Sequence, residues 1–310
     1  MRLRLVPEKT SVPFMRGRSV AVVLSVLLII GSAAYTYVHG LNFGIDFRGG
    51  VTIEIETQQP ADVEAIRSAI SSLGLGDVAA QEFGNPNDVL IRVEQQAEGT
   101  QDAAIAAVVE TLNALYGNSY TIRRTEAVGP VVSGELVEKG ITAVLLAVGA
   151  IMIYIWFRFE WQFGLGAVVS LVHDIALTIG FFSFTGLEFN LSIVAAILTI
   201  IGYSLNDTVV VFDRIRENLR KYRKPTMLEI IDQSLNETLA RTLMTSVTTL
   251  LALLALLFLG GEVIRGFTAA MIWGVVIGTY SSIFVASPVL NALNVSREAF
   301  IPDEVKSKAP

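Results

Sequence analysis

The sequence predicts a multi-pass α-helical membrane protein: six transmembrane helices, with one α+β domain of ferredoxin-like connectivity inserted between the first and second. Three observations carry this. Of 310 residues, 52% are hydrophobic and only 17% are charged, whereas a soluble protein carries about a quarter charged residues. The apolar residues gather into runs of about twenty, the length that crosses a bilayer core. One segment, residues 40–138, breaks the pattern with charges, alternation and turn residues.

The first apolar run is Val20 to Val38, preceded by Arg2, Arg4, Lys9, Arg16 and Arg18. Gly31-Ser32-Ala33-Ala34 offers the small residues of a signal-peptide cleavage site. An uncleaved helix is preferred, because hydrophobicity continues through Tyr35 and Tyr37, which suit the far membrane interface. Residues 1–39 are therefore assigned to the N-terminus and first helix.

In the inserted segment, Val51 to Glu56 alternates apolar and polar residues, as a half-buried strand does. Pro60 to Leu73 reads as a helix with Val63, Ile66, Ala69 and Ile70 on one face, closed by Gly74. Val78 to Phe83 and Asp88 to Glu94 read as a hairpin around Gly84-Asn85-Pro86-Asn87. Thr100 to Tyr116 is a second amphipathic helix, and Tyr120 to Val128 a last strand. The order β-α-β-β-α-β is that of the split βαβ fold; an α+β domain of other connectivity is the alternative.

Five apolar runs follow, at 140–157, 163–186, 190–212, 241–259 and 267–290. They form a five-helix bundle over 139–290, interrupted by a basic loop at 214–241 and followed by a tail at 291–310. The loop carries Arg214, Arg216, Arg220, Lys221, Arg223 and Lys224. The positive-inside rule places the N-terminus, the Arg158 turn, this loop and the tail in the cytoplasm. Six crossings make these placements consistent and put the 40–138 domain outside. Gly274 and Gly278, with Gly266, Ser281 and Ser282, predict a closely packed last helix, a packing signal that carries no chemistry.

Ionisable groups inside the hydrocarbon are costly, so their presence points to function. Asp207 lies about six residues, or roughly 9 Å, inside the cytoplasmic end of its helix. Ser204 and Thr208 share its face, and Asn206 adjoins it. Arg241 starts the next run at matching depth, and Thr242, Thr245, Ser246, Thr248 and Thr249 extend polarity inward. A carboxylate set between desolvation and a nearby cation can exchange a proton as helices move. The plainer alternatives are a snorkelling Arg241 and an Asp207 fixed to a neighbouring helix. His173-Asp174 lies near the midplane, suited to a proton role or to hydrogen bonding across helices. Asp213 and Arg214 mark the membrane edge.

Absences narrow the function. The chain has no cysteine and two histidines, His39 and His173, which excludes disulfides, thiolate sites and histidine-rich metal centres. There is no phosphate-binding loop and no nucleophile paired with a base. The expectation is a non-enzymatic protein with no cofactor, no metal and no nucleic-acid partner, in which an ion gradient supplies any work; carboxylates serve protons or sodium equally.

Two motifs are specific enough to suggest a family. Asn42-Phe43-Gly44-Ile45-Asp46-Phe47-Arg48-Gly49-Gly50 resembles the signature that follows the first helix in the SecF branch of the SecD/SecF family. The stretch from Gly202 through Asp207 to Asn218 resembles that family's fourth-helix motif. Leu239-Ala240-Arg241-Thr242, Gly278-Thr279-Tyr280-Ser281-Ser282 and His173-Asp174 are similar as well. The resemblance covers nearly the whole chain. It implies an RND-type half bundle in the bacterial cytoplasmic (inner) membrane, in complex with SecD, that assists the SecYEG channel and SecA. YidC and YajC are further candidate partners, alongside exported preprotein chains and membrane lipids. It implies use of the proton gradient, with Asp207 and Arg241 as the relay and Asp174 a weaker member. His173, Ser204, Asn206, Thr208 and Thr245 are supporting polar groups. Gly44, Asp46, Gly49 and Gly50 are expected to shape the join between helix and domain. A small-molecule or lipid exporter of the same superfamily, and a non-transporting scaffold, are the rivals.

Overall fold

The computed structural model describes residues 10–94, 96–97, 99–293 and 295. The predicted basic residues Arg2, Arg4 and Lys9, and most of the 291–310 tail, lie outside these. Among the described residues, six helical segments are long and apolar enough to cross a membrane: Phe14–His39, Pro130–Arg158, Trp161–Thr185, Leu191–Lys221, Met227–Leu259 and Glu262–Ala292. The first contains α1 (Arg18–His39) after a short 3-10 turn; the next four are α5 to α8. The last comprises α9 (Glu262–Ser281), a π-helical turn at Ser282–Ala286, and α10 (Ser287–Ala292).

Between α1 and α5 stand a one-turn helix α2 (Ile45–Arg48), β1 (Gly50–Thr57), α3 (Val63–Ser71), β2 (Val78–Phe83), β3 (Asn85–Val93), α4 (Gln101–Tyr116) and β4 (Tyr120–Val128). The strands pair antiparallel in the order β2-β3-β1-β4, with Val51 opposite Val93 and Ala127. This is the ferredoxin-like arrangement. Alternation on β1 sends Val51, Ile53 and Ile55 to one face, where Ile66 and Ile70 of α3 and Val108 and Leu112 of α4 cover them. The hairpin is tighter than the sequence suggests. Gly84, at φ +87°, makes the turn alone, and β3 already begins at Asn85. Hydrogen bonds donated by Ala61 N to Pro86 O, and by the Thr57 hydroxyl to Asn87 O, hold the residues expected in the loop.

Helix boundaries depart further from the apolar runs. Helix α5 starts at Pro130, so the domain expected to reach 138 passes into helix directly after β4. Gly129-Pro130 is a legible start, since proline at the first helical position gives up a donor that would be unpaired anyway. The basic loop expected at 214–241 is mostly helix. Helix α7 continues to Lys221 and α8 begins at Met227, leaving five residues between them. Past the bilayer the two helices stay amphipathic, burying Ile215, Leu219, Ile230, Ile231 and Leu235 against each other's side. Thr226 and Glu229 close a capping box at the start of α8, which satisfies two of its free amide donors.

The motif after α1 fastens that helix's exit to the α6–α7 connection. Gly44 N donates to Phe189 O at 2.9 Å, Phe189 N to Asn42 O at 2.8 Å, and the Asn42 amide to Gly186 O at 2.9 Å. Gly49 and Gly50 turn the chain from α2 into β1 at φ +71° and +123°, a region that side chains resist. Asp46 reaches across 145 residues of sequence to accept the Leu191 amide at 2.8 Å. It thereby caps α7, whose own N-cap, Asn190, makes no side-chain capping bond. Asp46→Ala should lower stability by about 1 kcal/mol, the usual worth of a cap, and lower the melting temperature by about 2–4 °C. Asp46→Asn should recover most of it. A melt unchanged in the alanine variant would remove the capping role.

Candidate functional site

The bundle is not uniformly buried. In α6, α7 and the α9–α10 segment, 56% of the most apolar stretch is buried, against 11% in α1, α5 and α8. The first three therefore form the centre, and polar side chains gather where they meet. Small residues permit this closeness: Gly274 and Gly278 of α9 lie against Ile200 and Ser204 of α7.

Asp174, fully buried on α6, is the hub of this cluster. Its Oδ2 accepts from Ser204 Oγ of α7 at 2.6 Å and from Ser281 Oγ of α9 at 2.8 Å. Its Oδ1 lies 2.9 Å from His173 Nδ1, the donor in the tautomer protonated there. Ser170 Oγ donates to Ser281 Oγ at 2.9 Å, extending the chain. One carboxylate thus ties three helices together. His173 Nε2 is buried with no hydrogen-bond partner among the described residues, and the ring stacks on Tyr280 at 5.9 Å. The Tyr280 hydroxyl in turn lies 3.0 Å from Ser25 Oγ of α1.

One turn further along α7, Thr208 Oγ1 lies 2.9 Å from Ser282 Oγ, at the start of the π-helical turn. Such turns often mark functional positions. Ser281 and Ser282, expected to serve packing alone, belong to this polar network. They follow Gly278 by three and four residues and so share its inward face.

Asp207 is in a different situation. It is 3% exposed, and its Oδ2 has no hydrogen-bond partner among the described residues. It faces the seam between α7 and α8. In that seam Tyr203 OH meets Ser246 Oγ at 3.4 Å, and Ser246 meets Thr279 at 2.8 Å. The helices are antiparallel, so one turn on from the Tyr203–Ser246 contact the register brings Asp207 opposite Thr242, whose Oγ1 is likewise buried and unpartnered. Arg241, beside Thr242, is within electrostatic reach of Asp207 but forms no ion pair with it inside 4.0 Å. The direct pairing suggested by their matching depth is not made. The Arg241 side chain is exposed on the outer surface of α8.

Other expectations shift with the longer helices. Asp207 is not six residues from a helix end, because α7 runs on to Lys221. Asn206 is exposed, pointing away from the cluster, and Thr245 bonds back to Thr242 O at 2.8 Å within its own helix. Asp213 holds Arg158 of the α5–α6 turn at 2.7 Å, as a boundary residue would. Asn206 and Arg241 thus place polar groups on the outside of α7 and α8, where lipid cannot satisfy them, whereas Thr248 bonds back to Met244 O at 2.8 Å within its own helix.

Comparison with known proteins gives a consistent result. Residues 108–296 match the family described as protein export membrane protein SecD/SecF, C-terminal, and residues 36–61 match the SecD/SecF GG motif. The protein translocase subunit SecF of Rickettsia bellii (strain OSU 85-389) is 48% identical over 288 residues, covering 93% of this chain and 95% of that protein. SecF of Rhodobacter capsulatus is 47% identical over 309 residues, covering 96% and 93%. A crystal structure of SecDF, a translocon-associated membrane protein from Thermus thermophilus, superposes with a TM-score of 0.83 at 35% identity. That match covers 95% of this chain and 40% of the SecDF chain, so this chain spans about two fifths of that longer protein.

Proposed function

This chain belongs to the SecD/SecF family of protein-export membrane proteins, and from that premise we infer that it serves as a SecF-type subunit of a protein translocase, working with a SecD partner. It is a multi-pass transport subunit rather than an enzyme. Its seat is the bacterial inner membrane, with the α+β domain outside and the α7–α8 turn in the cytoplasm, as the distribution of arginine and lysine favours. There it assists SecYEG- and SecA-dependent export, with YidC and YajC as further associates, and draws on the proton gradient.

The observation that carries this reading is Asp207: a buried carboxyl on a polar seam, whose Oδ2 has no hydrogen-bond partner among the described residues. A satisfied carboxylate such as Asp174 has its acceptors filled by fixed donors. Asp207 has an oxygen free to take and release a proton. A SecD helix laid over the α7–α8 face would cover Asn206 and Arg241 and complete the site. The mechanical link is short. Asp207 and the domain's anchor at Leu191 sit on one helix, sixteen residues and roughly 24 Å apart, and Asp46 grips that anchor. A shift of α7 as Asp207 changes charge is therefore delivered to the domain that meets the emerging chain.

Preprotein release from vesicles under a proton gradient tests this. Asp207→Asn and Arg241→Met, made separately, should each remove the gradient-dependent part of release. Wild-type release in both would favour a scaffold and leave only the family membership.

A further inference from the structure

A basic recess lies at the membrane edge opposite the α+β domain, where the α5–α6 turn meets the far end of α7. Arg158, Asp213, Arg216, Glu217, Arg220 and Lys221 line its roughly 500 Å³. Its acids are already engaged. Asp213 accepts two hydrogen bonds from Arg158, at 2.7 and 2.9 Å, and Glu217 pairs with Arg214 at 2.6 Å. Arg216 faces Glu160 at 3.3 Å. Arg220 and Lys221 are exposed and, among the described residues, have no carboxylate within 4.0 Å. They are the uncompensated charge of the recess.

Aromatic residues flank it in sequence at the α5–α6 turn. The guanidinium groups of Arg158 and Arg216 lie 4.8 and 5.2 Å from the ring centre of buried Phe159, which fixes both. Around the same turn Trp156, Phe157 and Trp161 are 76%, 90% and 60% exposed. A solvated basic surface has no use for three large exposed rings. Tryptophan favours the headgroup level of a bilayer, and juxtamembrane cations attract anionic lipid.

We propose that this recess binds the phosphate headgroup of an anionic phospholipid. Arg220 and Lys221 contact the phosphate, the ion-paired Arg158 and Arg216 form the wall behind it, and the exposed rings of the same turn sit at the level of the glycerol and upper acyl region. A soluble phosphate would use the cations and leave the rings unused. The site is independent of Asp207, so it stands or falls separately from the proton reading.

Native mass spectrometry of the full chain in detergent, titrated with phosphatidylglycerol or phosphatidylcholine, measures it. Phosphatidylglycerol should bind in preference, and Arg220→Gln with Lys221→Gln should weaken it about tenfold or more, since each juxtamembrane cation is worth about fivefold. The swap Arg220→Lys with Lys221→Arg should retain binding, and both variants should melt like the parent. Inorganic phosphate should not displace the lipid. Undiminished affinity in the double glutamine variant, equal retention of phosphatidylcholine, or displacement by phosphate alone would each overturn the assignment.

Discussion

Asp207→Asn will leave the chain folded in the membrane and eliminate the proton-gradient-dependent component of preprotein release. The replacement is nearly isosteric. Because Oδ2 has no hydrogen-bond partner among the described residues, the oxygen that becomes an amide breaks no bond there. The stability change should therefore stay within about 1 kcal/mol, below the cost of orphaning a buried polar group. The functional change is larger. A charge crossing about 100 mV carries about 2.3 kcal/mol, close to a fiftyfold bias on any step it drives, and an amide that cannot titrate forfeits all of it. Asp174→Asn should behave in the opposite way. It disturbs a carboxylate holding Ser204, Ser281 and His173, so its main effect should be on thermal stability. The contrast between the two carboxylates can be read from melting curves and export measured on the same samples.

Gly274→Ala will destabilise the bundle sharply, and Ile200→Ala will relieve it. A Cβ on Gly274 would lie 2.2 Å from Ile200 Cγ1, 2.5 Å from its Cδ1 and 2.8 Å from its Cγ2. Ile200 is 3% exposed, so its side chain has no free space to turn into, and α7 and α9 must separate. Membrane helices associate through close packing rather than a hydrophobic drive, which makes such a separation costly. Overpacking of this kind costs about 1–3 kcal/mol. Ile200→Ala alone removes core contacts and also destabilises. Together the two should cost less than their sum by about 1 kcal/mol or more, the signature of residues in direct contact. Strict additivity in detergent melting would mean that α7 and α9 do not meet at this point.

The sequence made some layers of this molecule plain and hid others for physical reasons. Six spans follow from apolar length, and the split βαβ order from period-two and helical patterning between residues 50 and 128. Helix ends were obscure because hydropathy stops where water begins, while helices α7 and α8 continue through it on an amphipathic face. Gly129-Pro130 and the Thr226–Glu229 box mark two of the true ends, but neither changes the hydropathy of the chain around it. Asp207, Arg241 and Asp174 stood out as charges in hydrocarbon. Their arrangement was not legible, because depth along a helix says nothing of rotation about it. Arg241 has the depth of Asp207 yet turns outward, whereas Ser204 and Ser281 turn inward onto Asp174. Asp46 is the clearest case of a hidden role: nothing local shows that it caps a helix 145 residues away.

If Asp207 exchanges protons across the membrane, as proposed, the chain must pass protons. Vesicles carrying the chain with its SecD partner, loaded with a pH-sensitive dye and given a proton gradient, should show uptake above that of empty vesicles. Asp207→Asn should return it to the empty-vesicle level. Flux in that variant equal to the parent's would mean that Asp207 carries no proton.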